Sequence, residues 1–322
     1  QPDWILVRPR GDNHAIRSFD AVRGSNKELQ TNGTNAETAN SQYGWIGSFD
    51  SDGFTTQTGS DSNQYNVNKS SSTYVSWNWK AGTGQGSSNT DGSINTTYTS
   101  ANTTSGFSIS TYTGTGSSAT IGHGLGVAPE FIIIKRTSST ENWYVQATVL
   151  GYSKYLTLDS TAAQANTSGA LISSVSSSTI TVDGNGAVNG SGATYVMYAF
   201  AEKTGYSKFG TYVANDQDGA NSPFIYTGFK PQFLLIKNII DGTASSDWVI
   251  ADNKRPGYNI VNKKLFANES QSESSDEIAN FLSNGFKLDN STTDLNYSTR
   301  TYVYAAFGQS LVGSNNVPCT GF

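Results

Sequence analysis

Few residues in this chain could carry out chemistry. Hydrolysis of a glycosidic bond needs two carboxylates, about 5–5.5 Å apart in retaining enzymes. The nearest pair by spacing is Asp50-x-Asp52, inside Phe49-Asp50-Ser51-Asp52-Gly53-Phe54. That phrase reads as a hairpin turn rather than a catalytic strand. It also matches the first half of a calcium loop, as does Asp216-Gln217-Asp218-Gly219, but neither is followed by the bidentate Glu such a loop uses. A loop-bound calcium stays open; no other cofactor is expected. There are two histidines, His14 and His123, and one cysteine, Cys319, too few for a structural zinc site. His123 sits in Gly122-His123-Gly124-Leu125 with no Ser or Cys nucleophile motif beside it, so we read it as a turn residue. Arg10-Gly11-Asp12 is a tripeptide that a chain rich in Gly and Asp reaches by chance.

Binding chemistry is better represented than catalysis. Carbohydrate recognition stacks an aromatic ring on a sugar face and reads hydroxyls with nearby amides or carboxylates. Tyr43 and Trp45 lie in the polar stretch Ser41-Gln42-Tyr43-Gly44-Trp45, and Tyr65 lies in Asn63-Gln64-Tyr65-Asn66. These three are the candidate glycan contacts. The alternative is that they cap a sandwich edge or meet a neighbouring subunit.

The elements that must position them recur three times. The opening phrase is Pro2-Asp3-Trp4-Ile5-Leu6-Val7-Arg8, then Pro129-Glu130-Phe131-Ile132-Ile133-Ile134-Lys135, then Pro231-Gln232-Phe233-Leu234-Leu235-Ile236-Lys237. The closing phrase is Tyr74-Val75-Ser76-Trp77-Asn78-Trp79, Tyr195-Val196-Met197-Tyr198-Ala199-Phe200 and Tyr302-Val303-Tyr304-Ala305-Ala306-Phe307. A period of this length suits one small domain and is too long for a solenoid unit. Alternating strands at Gly106-Phe107-Ser108-Ile109 and Ser207-Lys208-Phe209-Gly210 precede the second and third copies; the first copy has none. Short strands joined by polar turns predict an all-β chain of tandem antiparallel β-sandwich (jelly-roll) modules. The expected boundaries are 1–82, a Gly/Ser/Thr-rich linker or surface loop at 83–104, then 105–203 and 204–322. Residues 274–281 are the one expected helix, with Ser275 as N-cap. Trp77 and Trp79 point to one face and are read as core. The runs at 131–134 and 195–200 are apolar on both faces, covered by loops or by neighbouring units.

Composition agrees with an extracellular β-protein. Charged residues are 14% of the chain, against about 25% in an ordinary soluble domain. A net charge of −5 offers no basic footprint for nucleic acid. No apolar run reaches the length of a membrane-spanning helix, so no membrane insertion is expected. The single cysteine can staple nothing internally, which leaves burial or homo-oligomer assembly as the source of stability. The start at Gln1 reads as processed or truncated.

Several phrases carry a resemblance. Trp4-Ile5-Leu6-Val7, Phe19-Asp20-Ala21-Val22-Arg23-Gly24, Ser48-Phe49-Asp50-Ser51-Asp52-Gly53-Phe54 and Trp77-Asn78-Trp79-Lys80-Ala81-Gly82 resemble a segment of tailed-phage virion proteins, especially of phages of marine bacteria and cyanobacteria. Tyr112-Thr113-Gly114, His123-Gly124-Leu125, Gly205-Tyr206-Ser207-Lys208-Phe209-Gly210 and Tyr226-Thr227-Gly228-Phe229 resemble its companion pattern. The resemblance spans nearly the whole chain. It implies concanavalin A-like lectin/glucanase-type sandwiches in a tail fibre or other structural protein of the virion. Glucanases of that type carry Glu-x-Asp-x-x-Glu on a strand, which this sequence lacks. The expectation is a non-enzymatic tail-fibre or spike segment, with other virion proteins and a host-surface glycan as partners. A capsid decoration or head-fibre protein is the first alternative, and a glycan depolymerase the second.

Overall fold

A computed structural model describes residues 1–166, 171–243, 246–257 and 259–309. Strand makes up 46% of the chain and helix 3%, so the protein is all-β, and the pairings between its strands are antiparallel. The first repeat runs β1 (Trp4–Pro9), β2 (Arg17–Asp20), β3 (Gly24–Gln30), β4 (Thr38–Ala39), β5 (Trp45–Asp50), β6 (Gly53–Gln57) and β7 (Tyr74–Trp79). The second runs β8 (Tyr98–Asn102), β9 (Phe107–Thr113), β10 (Ala119–Gly122), β11 (Phe131–Arg136), β12 (Trp143–Ala147), β13 (Lys154–Thr157), β14 (Ala165–Asn166), β15 (Ile172–Val175), β16 (Thr179–Val182) and β17 (Thr194–Phe200). The third runs β18 (Ser207–Val213), β19 (Phe224–Tyr226), β20 (Lys230–Asn238), β21 (Val249–Asp252), β22 (Val261–Phe266), β23 (Ser274–Leu282), β24 (Gly285–Leu288) and β25 (Thr301–Gln309).

Two compact units result. The first comprises Gln1–Asp159, Ala165–Ala201 and Ser270–Ser272; the second comprises Ser160–Gln164, Glu202–Glu269 and the chain from Glu273. Unit 1 holds a five-stranded sheet (β4-β3-β2-β1-β7), a seven-stranded sheet (β14-β13-β12-β11-β17-β9-β8), the β10-β16-β15 sheet and the β5-β6 hairpin. Unit 2 holds one eight-stranded sheet, β18-β25-β20-β21-β22-β23-β24-β19.

The repeated phrases form the same central pair each time. β1 pairs with β7, β11 with β17 and β20 with β25, so that Trp4 faces Trp79, Phe131 faces Phe200 and Phe233 faces Phe307. Cross-strand aromatic pairs of this kind stabilise a sheet locally. The strand preceding the opening phrase, β9 or β18, lies beside the closing strand in the later repeats, whereas the first sheet ends at β7.

The tyrosine that begins each closing phrase explains why that position repeats. Tyr74 Oη accepts from the backbone N–H of Lys69 and donates to the carbonyl of Tyr65. Tyr195 Oη accepts from Gly190 N–H and donates to Gly186 O; Tyr302 Oη accepts from Tyr297 N–H and donates to Thr293 O. In all three the partners lie five and nine residues upstream. One hydroxyl thus satisfies two backbone groups of the loop that leads into the central strand.

The basic residue ending each opening phrase is likewise structural. Arg8, Lys135 and Lys237 are fully buried. Lys135 Nζ donates to the carbonyls of Thr34 (2.9 Å) and Glu141 (2.6 Å), and Lys237 Nζ to those of Thr161 (2.9 Å) and Asn238 (2.8 Å). Arg8 Nη2 donates to Gln271 O. Each cation therefore holds a carbonyl from a loop of a different repeat, and burial pushes both lysine pKa values down to about 8.

The two-sided apolar strands find cover within unit 1. One face of β11 and β17 packs Ile132, Ile134, Met197 and Ala199 against Ile121, Ile172 and Ile180. The opposite face meets Trp4 of the first repeat, whose ring lies 4.5 Å from Tyr198 and 5.9 Å from Phe200. Trp77 and Trp79 are buried, as core residues should be.

Three expectations are corrected. Residues 274–281 form strand β23, which pairs with β22 through a register shift and, in its second half, with β24, so sheet ladders on both edges take up its backbone groups in place of helical bonds. Ser275 is bonded by Lys263 Nζ instead of capping a helix. The stretch 83–104 includes β8, which pairs with β9 along its length, while Asp3 accepts from the N–H groups of Thr83 and Gly84. Thr and Ser suit an edge strand without adding apolar residues, which hid it among the loop composition. The hairpin read at Asp50-Gly53 forms, and Leu282-Gly285 makes a second one; neither Gly53 nor Gly285 has positive φ. Gly285 is needed for space: a Cβ there would lie 2.2 Å from Ile225 O and 2.9 Å from the Phe224 ring. Cys319 lies outside the described residues.

Candidate functional site

Tyr43 and Tyr65 come together; Trp45 does not join them. The Tyr43 and Tyr65 rings stack with centroids 4.1 Å apart, and the His14 ring also stacks with Tyr65, at 4.1 Å and an interplanar angle of 3°. Trp45 instead packs against the first repeat's core of Ile5, Val7, Phe19, Ile46 and Val67. All three rings of the stack are half-buried, so each keeps surface toward solvent.

Asn66 holds the stack in place. Its buried amide donates to Glu28 Oε2 (2.8 Å), Ser41 Oγ (2.9 Å) and Gly44 O (3.3 Å), and its backbone N–H donates to Tyr43 O. Glu28 in turn pairs with Arg17 at 2.8 Å in the interior. Burial pushes the Glu28 carboxyl above its ordinary range, against the pull of Arg17. The 41–45 and 63–66 loops are thereby tied to β3 through one polar network.

Around the rings the groups are polar. Asp12 accepts from Ser72 Oγ (2.8 Å) and Lys69 Nζ (3.1 Å), and these bonds hold its carboxyl below the usual range. The Asp12 carboxylate of the Arg-Gly-Asp sequence is therefore engaged internally. Burial lowers the His14 pKa and raises that of Tyr65, so both rings are neutral at neutral pH. A neutral aromatic stack edged by carboxylate, hydroxyl and amide groups can stack on a sugar ring and read its hydroxyls.

The residues considered for catalysis are occupied elsewhere. Asp50 accepts from the hydroxyls of Ser48 (2.7 Å) and Thr55 (2.8 Å), which lower its pKa. Asp52 lies at a separate open cleft of about 470 Å³ with Phe54, Asn78 and Lys80. No cluster of three His, Cys, Asp or Glu side chains that could hold a metal ion occurs among the described residues. Among the same residues no helix is long and apolar enough to cross a membrane.

His123 is buried and fixed in one tautomer. Leu125 N–H donates to its Nδ1 at 3.2 Å, and its Nε2 lies 3.2 Å from Ser176 O, an acceptor. The ring is therefore neutral with the proton on Nε2, and protonating Nδ1 would cost the Leu125 bond. Gly122 leaves room for Asn89, whose Oδ1 would lie 1.6 Å from a Cβ. Burial lowers the His123 pKa below 6.5. The unfolded chain then takes up the proton first, so the stability this ring contributes is present above pH 6.5 and is lost as pH falls below it. In a ¹⁵N NMR titration His123 should keep the Nε2–H tautomer down to a midpoint below 6.5; a midpoint at or above that value would contradict the geometry.

His14 is the member of the stack that sequence reading missed. It lies far from Tyr65 along the chain, and the pairing of β1 with β7, the Arg10 N–H to Thr73 O bond and the Asp12–Lys69 and Asp12–Ser72 contacts bring their loops together.

The fold and site define an all-β protein of antiparallel sheets with a half-exposed aromatic stack. The model of a family described as a domain of unknown function (DUF7483) matches residues 1–310, and the chain belongs to that family. The match takes in all three copies of the repeated phrases. Neither the curated proteins nor the solved structures include one that matches.

Proposed function

We propose that this protein is a structural component of a tailed-phage particle, a tail-fibre or spike segment that attaches to a host-surface glycan without catalysis. Its modules are read as concanavalin A-like jelly rolls in three related units, 1–82, 105–203 and 204–322. The observation that carries the attachment reading is the His14–Tyr65–Tyr43 stack, held rigid by Asn66 and bordered by Asp12 and Lys69. The phrase resemblance supports the virion setting. The fixed neutral His123 and the hydroxyl-bound Asp50 support a non-catalytic role. A single stacking site is weak, and presentation in many copies on a particle would raise avidity by roughly 10²–10⁴.

The test is binding of purified protein to a glycan array and to host cells, with Tyr65→Ala beside the wild type. Glycan-selective binding that falls about tenfold in Tyr65→Ala is the expected result. Binding to virion proteins with no glycan preference would overturn it. That outcome would favour a capsid decoration or head-fibre role, for which one observation speaks: Phe224 and Tyr226 on edge strand β19 are 46% and 65% exposed. Release of sugar from host envelope material would instead establish a depolymerase. Assembly into a homo-oligomer belongs to the same proposal. Because Trp4 covers the outer face of β11 and β17 within one chain, a partner copy would have to use other surfaces. Light scattering at micromolar concentration decides it.

A further inference from the structure

A second cavity lies in unit 1, apart from the aromatic stack. It is an open pocket of about 210 Å³ between the ion-paired residues of the first repeat and strands β8, β9 and β17 of the second. Its lining includes Tyr98, Thr111 and Thr194 together with Lys27, Glu37 and Gln85. We propose that this pocket binds one uncharged pyranose ring of a glycan, with Tyr98 as the stacking surface and the Thr111 hydroxyl as a hydrogen-bonding partner.

Three observations lead there. First, Thr111 Oγ1 is buried and has no hydrogen-bond partner among the described residues. A buried hydroxyl left unpaired is costly, and a ligand hydroxyl would satisfy it. Second, the charged groups of the lining, Arg23, Lys27 and Glu37, are all paired. Arg23 Nη1 and Lys27 Nζ both pair with Glu37, at 2.9 and 3.0 Å, and Arg23 Nε pairs with Asp20 at 2.5 Å. Both cations of the lining are thus engaged by carboxylates, Glu37 in the lining and Asp20 buried behind it, which leaves no unpaired cation to draw an anion. Third, Tyr98 faces Thr111 directly across the β8–β9 pair, which sets an aromatic ring and a free hydroxyl on neighbouring positions of one sheet face. Thr137 and Thr194 add a pair of hydroxyls 2.7 Å apart at the rim. The volume admits a single ring rather than a chain, so a terminal or side-branch sugar is the class of ligand.

The inference rests on the glycan-attachment reading for its ligand class, and the experiment separates the two. Saturation-transfer NMR would probe the full chain with glucose, galactose, mannose and N-acetylglucosamine, and with uronic acids for comparison. The proteins are wild type, Tyr65→Ala to remove the aromatic-stack site, and Tyr98→Ala, Thr111→Val and, as control, the exposed Val149→Ala, each placed in the Tyr65→Ala background. In the Tyr65→Ala background a neutral sugar should still bind, with affinity reduced roughly tenfold by Tyr98→Ala and roughly fivefold by Thr111→Val, and unchanged by Val149→Ala. Thr111→Val preserves shape and removes an unpaired buried hydroxyl, so its melting temperature should be equal or higher, which distinguishes lost binding from lost folding. Binding that survives both pocket substitutions in the Tyr65→Ala background, or that favours uronic acids there, overturns the pocket and leaves attachment standing. If no neutral sugar binds, the pocket assignment fails, and adhesion of the same wild-type protein to host cells shows whether the attachment reading fails with it.

Discussion

Replacing Arg255 by Met should destabilise unit 2 by about 3–5 kcal/mol, because it strands two carboxylates in the interior. Arg255 Nε pairs with Asp252 Oδ2 at 2.6 Å, its Nη1 with Glu273 Oε2 at 3.2 Å, and its Nη2 donates to Ile250 O at 3.0 Å. The guanidinium and both carboxylates are at least nine-tenths buried. Asp252 Oδ1 also accepts from the N–H groups of Lys254 and Arg255, closing the turn after β21. The guanidinium therefore serves as counter-ion and as the plug of a turn. Adding Asp252→Asn to Arg255→Met removes one of the stranded charges and should recover part of the loss. Urea denaturation of both variants measures this. A loss below about 1 kcal/mol for Arg255→Met would mean that water reaches the site.

The first repeat repeats this device with different neighbours. Asp20 Oδ1 accepts from Val22 and Arg23 N–H, Arg23 pairs with Asp20 and Glu37, and its Nη2 donates to Ser18 O. Both copies spell Asp-x-x-Arg, but the second repeat has Ala147-Thr148-Val149-Leu150 at that place and turns through a short 3₁₀ segment instead. The spacing was legible in the sequence. The third member was not, since Glu37 and Glu273 stand at different separations from their arginines.

The same division runs through the fold. The opening and closing phrases marked six strands in advance; that they pair with each other, with Trp4, Phe131 and Phe233 in equivalent register, came from the structure. Their first tyrosine and last cation proved to be loop anchors, which composition alone does not suggest: a Lys after three isoleucines reads as the solvated end of a strand, yet Lys135 is buried on two carbonyls. Strands β8 and β23 were missed for one reason. Each is built from residues ambiguous in isolation, and pairing with a neighbour decided their conformation. At the candidate site, Tyr43 and Tyr65 were legible as aromatics in polar loops. Trp45 shared that signature, but strand β5 turns it toward the core. His14 needed the tertiary contacts of Asp12 to come into view.

Trp4→Ala should be the most damaging single change in unit 1, at about 3–5 kcal/mol. Its ring, 3% exposed, stands 4.7 Å from Trp79, 4.5 Å from Tyr198 and 5.9 Å from Phe107, and its Nε1 donates to Ser18 Oγ at 2.9 Å. It thus joins the central pair of the first repeat to the outer face of the second. Tyr198 reaches the same place from the other side, its hydroxyl donating to Asp20 Oδ2 at 2.7 Å, so the aromatic contact and the buried ion pair share a boundary. If the repeats were independent modules, Trp4→Ala and Tyr198→Ala would act additively, each on its own repeat. Because the rings stack on each other, a double-mutant cycle should return a coupling of about 0.5–1.5 kcal/mol beyond the sum of the parts. Additivity within experimental error would separate the repeats energetically; coupling makes the first repeat, whose sheet ends at β7, a part of one cooperative unit with the second.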